Sequence, residues 1–292
     1  MNLYRHFTTQ EEIDLEYNLS LTIPDSKEWV EGYRQKSAIA RQTLDCILDV
    51  SYGSGEDETI DIFPAKEQGA PVLVYIHGGY WFSGNSKDYS FVAKGFISQG
   101  FTVVVMNYSL CPKVTISEIT HQSRTLIAWL YKEAASFNAD PSRIFVSGHS
   151  AGGQQVGMLL ASGWQSAYGL TDTIIKGGIS ISGLFDLHPF YYSYLQPKLL
   201  LTQEMILQQS PYLHIPDSGA PLLVTYGEEE TAEFHRQSMD YLQAWRNNGL
   251  HGELLIQERK HHFSAIADLN DPNSTLCKAF VNFMLKGTSN NR

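Results

Sequence analysis

Apolar and polar positions along this chain fall into two alternating rhythms. Val72–Ile76 is an unbroken apolar run of strand length, as expected of a strand buried on both faces, and Thr102–Met106 is the next such run. Further strands are predicted at Glu58–Phe63 (ended by Pro64), Arg143–Ser147, Ile174–Ile181, Leu222–Thr225 and Glu253–Gln257. Between them the spacing turns helical. Ser26–Leu44 reads as an amphipathic helix with Ser26 as N-cap, and Tyr89–Ser98 as a helix closed by Gly100. Ser117–Ser136 repeats apolar residues at Ile119, Leu126, Ile127, Leu130 and Ala134, and helices follow at Ala151–Ala161, Thr231–Asn248 and Ser274–Leu285. Strand–helix alternation of this kind implies a mostly parallel central sheet with helices on both faces. No repeat or linker divides the chain, so residues 1–292 read as one α/β domain. Its one irregular, aromatic stretch, about 184–216, carries a short helix at Thr202–Gln209 and reads as a small cap-like insertion.

Composition narrows the function. Apolar residues make up 43% of the 292 and charged residues 18%, enough apolar mass for a large core. The net charge of −10, with no Lys/Arg run, argues against nucleic acid and anionic membranes as partners. No stretch reaches the ~18 apolar residues of a membrane span, and MNLYRHFTTQEEIDLEY lacks the apolar core of a signal peptide. Cys46, Cys111 and Cys277 are odd in number and widely spaced, which fits a reducing compartment and leads us to expect a cytoplasmic protein. The ten histidines show no metal-ligand spacing, so neither metal nor cofactor is expected. The expected partner is a small-molecule ester or amide, and a homodimer is compatible with the chain.

The chemistry begins at Gly148-His149-Ser150-Ala151-Gly152, a GxSxG pattern. Alone it is weak. Here a strand precedes it and a helix follows, the setting in which a sharp turn lifts a serine hydroxyl above the strand ends of an α/β-hydrolase fold. Ser150 is thus the candidate nucleophile, at a helix start whose free N–H groups favour developing negative charge. Acyl transfer also needs donors for the oxyanion. The Val72–Ile76 strand runs into His77-Gly78-Gly79-Tyr80-Trp81, so Gly78, Gly79 and Ala151 are the candidate oxyanion hole, and His77 reads as a structural anchor of that loop.

In this fold the partners follow in the order nucleophile, acid, base. Of the late histidines, His261 and His262 fall after the last predicted strand, and His262 is the preferred base. The strand Leu222–Thr225 leads into Gly227-Glu228-Glu229-Glu230; Glu230, third after the glycine, is the preferred acid, with Glu229 and then Asp186 as alternatives.

Several longer matches accompany these residues: HGGYW at 77–81, GHSAGG at 148–153, SGLFDLHPF at 182–190, EFHRQS at 233–238 and HHF at 261–263, with weaker ones at 15–20 and 51–64. Together they resemble the kynurenine formamidases (arylformamidases) and related carboxylesterases. That resemblance implies hydrolysis of N-formyl-L-kynurenine to kynurenine and formate by Ser150, Glu230 and His262. The family generally carries aspartate where this chain has Glu230. Tyr80, Trp81, Phe185 and Tyr191 are the candidates for lining an aryl pocket, with Phe190 and Tyr192 beside them. Two other readings stand beside this one: a carboxylesterase on short-chain acyl esters unrelated to tryptophan breakdown, and a non-catalytic α/β-hydrolase binding module.

Overall fold

A computed structural model describes residues 2–289. The chain opens with helices α1 (Gln10–Tyr17), α2 (Leu19–Thr22) and α3 (Ser26–Thr43), followed by strands β1 (Ile47–Ser51), β2 (Thr59–Phe63) and β3 (Ala70–Ile76). Then come α4 (Ala93–Ile97), β4 (Thr102–Met106), α5 (Ile116–Glu133), β5 (Ala139–His149), α6 (Ala151–Leu160) and β6 (Ile175–Ile181). After the short helices α7 (Gln196–Leu199) and α8 (Gln203–Gln209), the chain ends with β7 (Leu222–Gly227), α9 (Ala232–Asn247), β8 (Gly252–Gln257) and α10 (Thr275–Ser289).

The strands form one 8-stranded sheet in the order β1-β2-β4-β3-β5-β6-β7-β8. β2 pairs antiparallel with both β1 and β4, and every later pairing is parallel. Side chains alternate across the pleat. Val72, Val74 and Ile76 therefore enter one apolar cluster with Val104, Met106, Ile144 and Val146. Leu73 and Tyr75 enter the opposite cluster with Val103, Val105 and Phe145. Burial on both faces is why these strands are uniformly apolar, and why helices must cover both sides.

The structure departs from the sequence reading in four places. The helix expected at Tyr89–Ser98 is two 3-10 turns, Ser86–Asp88 and Ser90–Val92, leading into α4. Ser26 is the first helical residue of α3 and not its cap; Asp25 holds the cap position and accepts from the Trp29 indole. α1, α2 and β1 were not anticipated. α1 is marked by a capping box between Thr9 and Glu12, and β1 is an edge strand exposed along most of its length, with no core-facing alternation to betray it. The 184–216 stretch sinks Leu184, Phe185, Leu187, Phe190, Leu195 and Ile206 into the main core, so it is held down by the same burial as the sheet.

Candidate active site

β5 ends at His149 and α6 begins at Ala151, leaving Ser150 alone in the turn at φ 57, ψ −116. That left-handed backbone is costly for a residue with a side chain and persists only where neighbours enforce it. Ser150 N–H is tied to the Ile181 carbonyl at 2.8 Å. A Cβ on Gly152 would lie 2.0 Å from the Ile76 carbonyl oxygen, so the turn fits only where this position is glycine. The loop after β3 touches the turn directly: a Cβ on Gly78 would sit 3.1 Å from Ser150 Cβ and 2.9 Å from the His149 carbonyl oxygen. Gly79 has φ 118, and a Cβ there would fall 2.1 Å from the Ser83 carbonyl oxygen. The structure thus brings Gly78, Gly79 and Ala151 to the same corner as Ser150.

His77 anchors this loop. Its Nδ1–H donates to the Gly78 carbonyl at 2.7 Å, and its ring stacks between Tyr108 (4.2 Å) and Tyr89 (5.4 Å). Complete burial pushes the His77 imidazole pKa down to about 4.

The late loops bring the other two residues together. His262 lies buried after β8, and its Nδ1–H donates to Glu230 Oε2 at 2.8 Å, with both side chains almost fully enclosed. Glu230 Oε1 accepts from the Gly227 N–H at 2.7 Å and from the Ser182 hydroxyl, so both carboxylate oxygens are satisfied. The Glu230 N–H closes onto the Gly227 carbonyl at 3.1 Å, a tight turn that swings this side chain inward. Neither alternative acid reaches His262. Glu229 is exposed, and Asp186 accepts from the Tyr4 hydroxyl and the His188 N–H on another part of the surface. His261 instead packs edge-on against Trp29, and its Nδ1 accepts from the Ser264 N–H.

His149 is a residue the sequence reading passed over. Its Nε2–H donates to the His262 carbonyl at 3.0 Å, fastening the serine turn to the histidine loop, and the two rings lie 4.5 Å apart. Burial first, then the neighbouring His262, hold its pKa far below the ordinary imidazole range.

Ser150, His149 and His262 open onto a cavity of about 500 Å³. Its walls differ from those expected. Tyr80 lines it, but Trp81 is fully buried, packs on Phe190 and donates to Gln154 Oε1. Phe185 stacks on Tyr241 at 4.0 Å and borders a separate small cavity with Asp186, and Tyr191 packs on Tyr192. These three aromatics are core and surface packing, not walls of this cavity. The wall comes from Leu19, Val30, Tyr33 and Arg34 of α2 and α3, together with Phe82 and Tyr194. The only trace of that wall in the sequence was the weak likeness at 15–20, which includes Leu19. A second cavity of about 320 Å³ adjoins it through Leu19 and His262, with Asp25, Glu229 and His261 on its rim. Among the described residues there is no cluster able to hold a metal ion, and no helix long and apolar enough to cross a membrane.

Known proteins resemble this chain over most of its length. A kynurenine formamidase of Danio rerio is 27% identical over 95% of this chain and 97% of its own length; that of Salmo salar is 29% identical over 89% of each. A solved structure from Silicibacter sp. TM1040, assigned provisionally as a thioesterase, superposes with a TM-score of 0.79 at 29% identity, covering 91% of this chain and 98% of the other. Esterase B of Lactobacillus rhamnosis shares the fold at a TM-score of 0.70, with 14% identity over 92% of this chain and 98% of its own. The family model described as BD-FAE matches residues 60–245, a span that runs from β2 through Ser150 and Glu230 into α9. The chain therefore belongs to the BD-FAE family, and it is a hydrolase of the α/β-hydrolase fold.

Proposed function

We propose that this enzyme is a serine hydrolase that cleaves a small aryl formamide or ester through an acyl-enzyme, with N-formyl-L-kynurenine as the first substrate to try. The observation that carries the reading is the buried 2.8 Å bond from His262 Nδ1–H to Glu230, on a cavity that Ser150 shares. A carboxylate can only accept, so the proton sits on Nδ1 and Nε2 keeps its lone pair for the Ser150 hydroxyl. In the proposed reaction Ser150 Oγ attacks the formyl carbon while Nε2 takes its proton. The N–H groups of Gly78, Gly79 and Ala151 hold the oxyanion. The C–N bond then breaks, His262 returns the proton to the departing arylamine, and water repeats the sequence to release formate. Glu230 keeps the imidazole in its working tautomer and steadies the imidazolium as it forms. Although glutamate is one methylene longer than the aspartate general in the arylformamidases, its carboxylate is held by the bonds from Gly227 and Ser182 while Oε2 reaches His262.

The likeness to formamidases over nearly the whole chain supports the aryl formamide. So do the rings of Tyr80, Phe82, Tyr89 and Tyr194 on the cavity wall. We place the enzyme in a reducing cytoplasm, where its free cysteines stay reduced. A carboxylesterase on short-chain acyl esters is the second reading. It is favoured by the aliphatic side chains of Leu19 and Val30 on the same wall, and by likeness to esterase LipQ of Mycobacterium tuberculosis, 23% identical over 69% of this chain and 53% of that protein. Turnover of N-formyl-L-kynurenine beside a series of nitrophenyl esters decides between them. Ser150→Ala should abolish both activities, along with labelling by a fluorophosphonate; labelling that survives in the variant would overturn the role of Ser150.

A further inference from the structure

The loop after β3 has an unusual backbone. Gly79, Tyr80 and Trp81 lie consecutively at φ 118, 48 and 60. Glycine takes such angles freely, but two bulky residues in succession hold them only when the surroundings over-determine them. Trp81 is held from within the hydrolase body: its indole N–H donates to Gln154 Oε1 on α6 at 3.0 Å, and its carbonyl accepts from Cys111 N–H at 2.8 Å. Tyr80 is held differently. Its hydroxyl donates at 2.6 Å to the carbonyl of Tyr17, the last residue of α1, and both side chains are buried.

Tyr17 is itself gripped by the start of α9. Its hydroxyl donates to Glu233 Oε2 at 2.8 Å and accepts from Gln237 Nε2 at 2.7 Å. The preceding Glu16 is held from the same place: its carbonyl accepts from the Thr231 hydroxyl at 2.7 Å, and its carboxylate from the Glu233 N–H at 3.0 Å. Arg236 locks Glu233 through two bonds of 2.7 Å and reaches the Tyr4 hydroxyl at 3.0 Å. Glu233, Arg236 and Gln237 belong to the EFHRQS segment at 233–238, which none of the proposed chemical steps employs.

We propose that Tyr80 is a positioning residue for the oxyanion hole, and that the EFHRQS segment acts on catalysis through it, by way of Tyr17. The proposal rests on the reading that Gly78, Gly79 and Ala151 supply the oxyanion donors. Such donors work only if they are held where the charge will develop, and displacements below 1 Å are costly. Tyr80 adjoins Gly79, so its bond to Tyr17 stops the strained loop from relaxing away from Ser150. α1 thus supports the catalytic corner as well as leading into the cavity wall.

The test compares Tyr80→Phe, Tyr17→Phe and the double variant with wild type, by 4-nitrophenyl acetate kinetics. Phenylboronic acid serves as a tetrahedral analogue and 4-nitrophenol as a planar ground-state ligand. Tyr80→Phe should lower kcat/KM about tenfold or more and weaken the boronate by the same factor, while nitrophenol binding stays within twofold. Tyr17→Phe should give a severalfold loss with the same signature, and should add nothing in the Tyr80→Phe background. Unchanged kcat/KM in Tyr80→Phe would overturn the proposal, as would equal losses of boronate and nitrophenol binding. Independent, multiplying effects of the two changes would overturn the route through Tyr17. If Tyr80→Phe does not fold, Tyr17→Phe is judged by the same ratio: boronate lost and nitrophenol kept supports the proposal, while parallel losses or none overturn it. A wild type that turns over no ester and is not labelled at Ser150 would overturn the reading of the site itself, and the proposal with it.

Discussion

Burying a neutral histidine just past β3 makes the fold acid-sensitive in a defined window. His77 is fully buried and its pKa is pushed down to about 4, from an ordinary value of 6.5. Above pH 6.5 the imidazole is neutral whether the chain is folded or not, and pH has no leverage through it. As pH falls from 6.5 toward 4 the unfolded chain takes up a proton that the folded chain refuses, so stability drops; below 4 both states are protonated and the loss levels off. Over the interval from pH 7 to 4 the cost is about 3 kcal/mol, at 1.36 kcal/mol for each pKa unit. A loss of that size is a large part of the stability of a typical domain. The clean perturbation is His77→Asn, whose side-chain amide can still donate to the Gly78 carbonyl but does not titrate. Urea unfolding of wild type and variant at pH 7, 5.5 and 4 gives two slopes of stability against pH. We expect the variant to be less stable at pH 7, through lost stacking on Tyr89 and Tyr108. Its stability should then fall by about 3 kcal/mol less than that of wild type on going to pH 4. Parallel slopes would refute the reasoning, because they would mean that His77 is protonated as readily in the fold as out of it.

Other outcomes follow from the same geometry. Glu230→Gln should lower turnover by about 10³ or more, as loss of a tautomer-setting carboxylate does, whereas Glu229→Gln and Asp186→Asn should cost less than about tenfold; a larger loss from Asp186→Asn, read by ester kinetics, would move the acid elsewhere. Gly79→Ala must place a methyl group 2.1 Å from the Ser83 carbonyl oxygen at φ 118, so it should lower kcat steeply, and wild-type kcat in this variant would show that the loop can rebuild itself. Formyl and acetyl aryl substrates should outrun hexanoyl ones; faster hexanoyl turnover with no hydrolysis of formyl-kynurenine would favour the carboxylesterase.

What was legible in the sequence had both a period and a punctuation mark. β3, most of β4 and the 144–146 centre of β5 are apolar because both faces are buried there, and glycines mark the turns that follow β3 and β5. Glu230, read from its place third after Gly227, and His262, read from its place after the last strand, lie hydrogen-bonded to each other. The cavity wall was not legible. Tyr80 and Trp81 are neighbours of similar character, yet one lines the cavity and the other is sealed beneath it, since a positive φ at both sends their side chains along paths no periodicity describes. Phe185 looked like a pocket ring and is spent on a stack with Tyr241, a partner distant in sequence. α1 and α2 were missed for a related reason. Only Ile13 and Tyr17 of α1 are buried, too few to make an apolar stripe, and their burial comes from contacts with α9 and the 184–216 stretch.

The wall formed by α3 has a consequence for how the protein is made. The Tyr33 hydroxyl donates to the carbonyl of Phe263, a contact spanning 230 positions of sequence, and Phe263 adjoins His262. On the ribosome, Tyr33 emerges long before the segment it must dock against. α3 packs against Tyr89 and Phe91 as soon as they emerge, but until that late segment appears the Tyr33 hydroxyl lacks its acceptor and the cavity lacks the wall that His262 and Phe263 supply. A chain released before His262 would lack the proposed base and this closure, leaving exposed apolar surface of the kind chaperones bind. The contact is also of long sequence separation, the kind that slows folding because a long loop must close before it gains anything. Assembly of a working site is therefore a late event in the life of each molecule, set by when its distant ends meet.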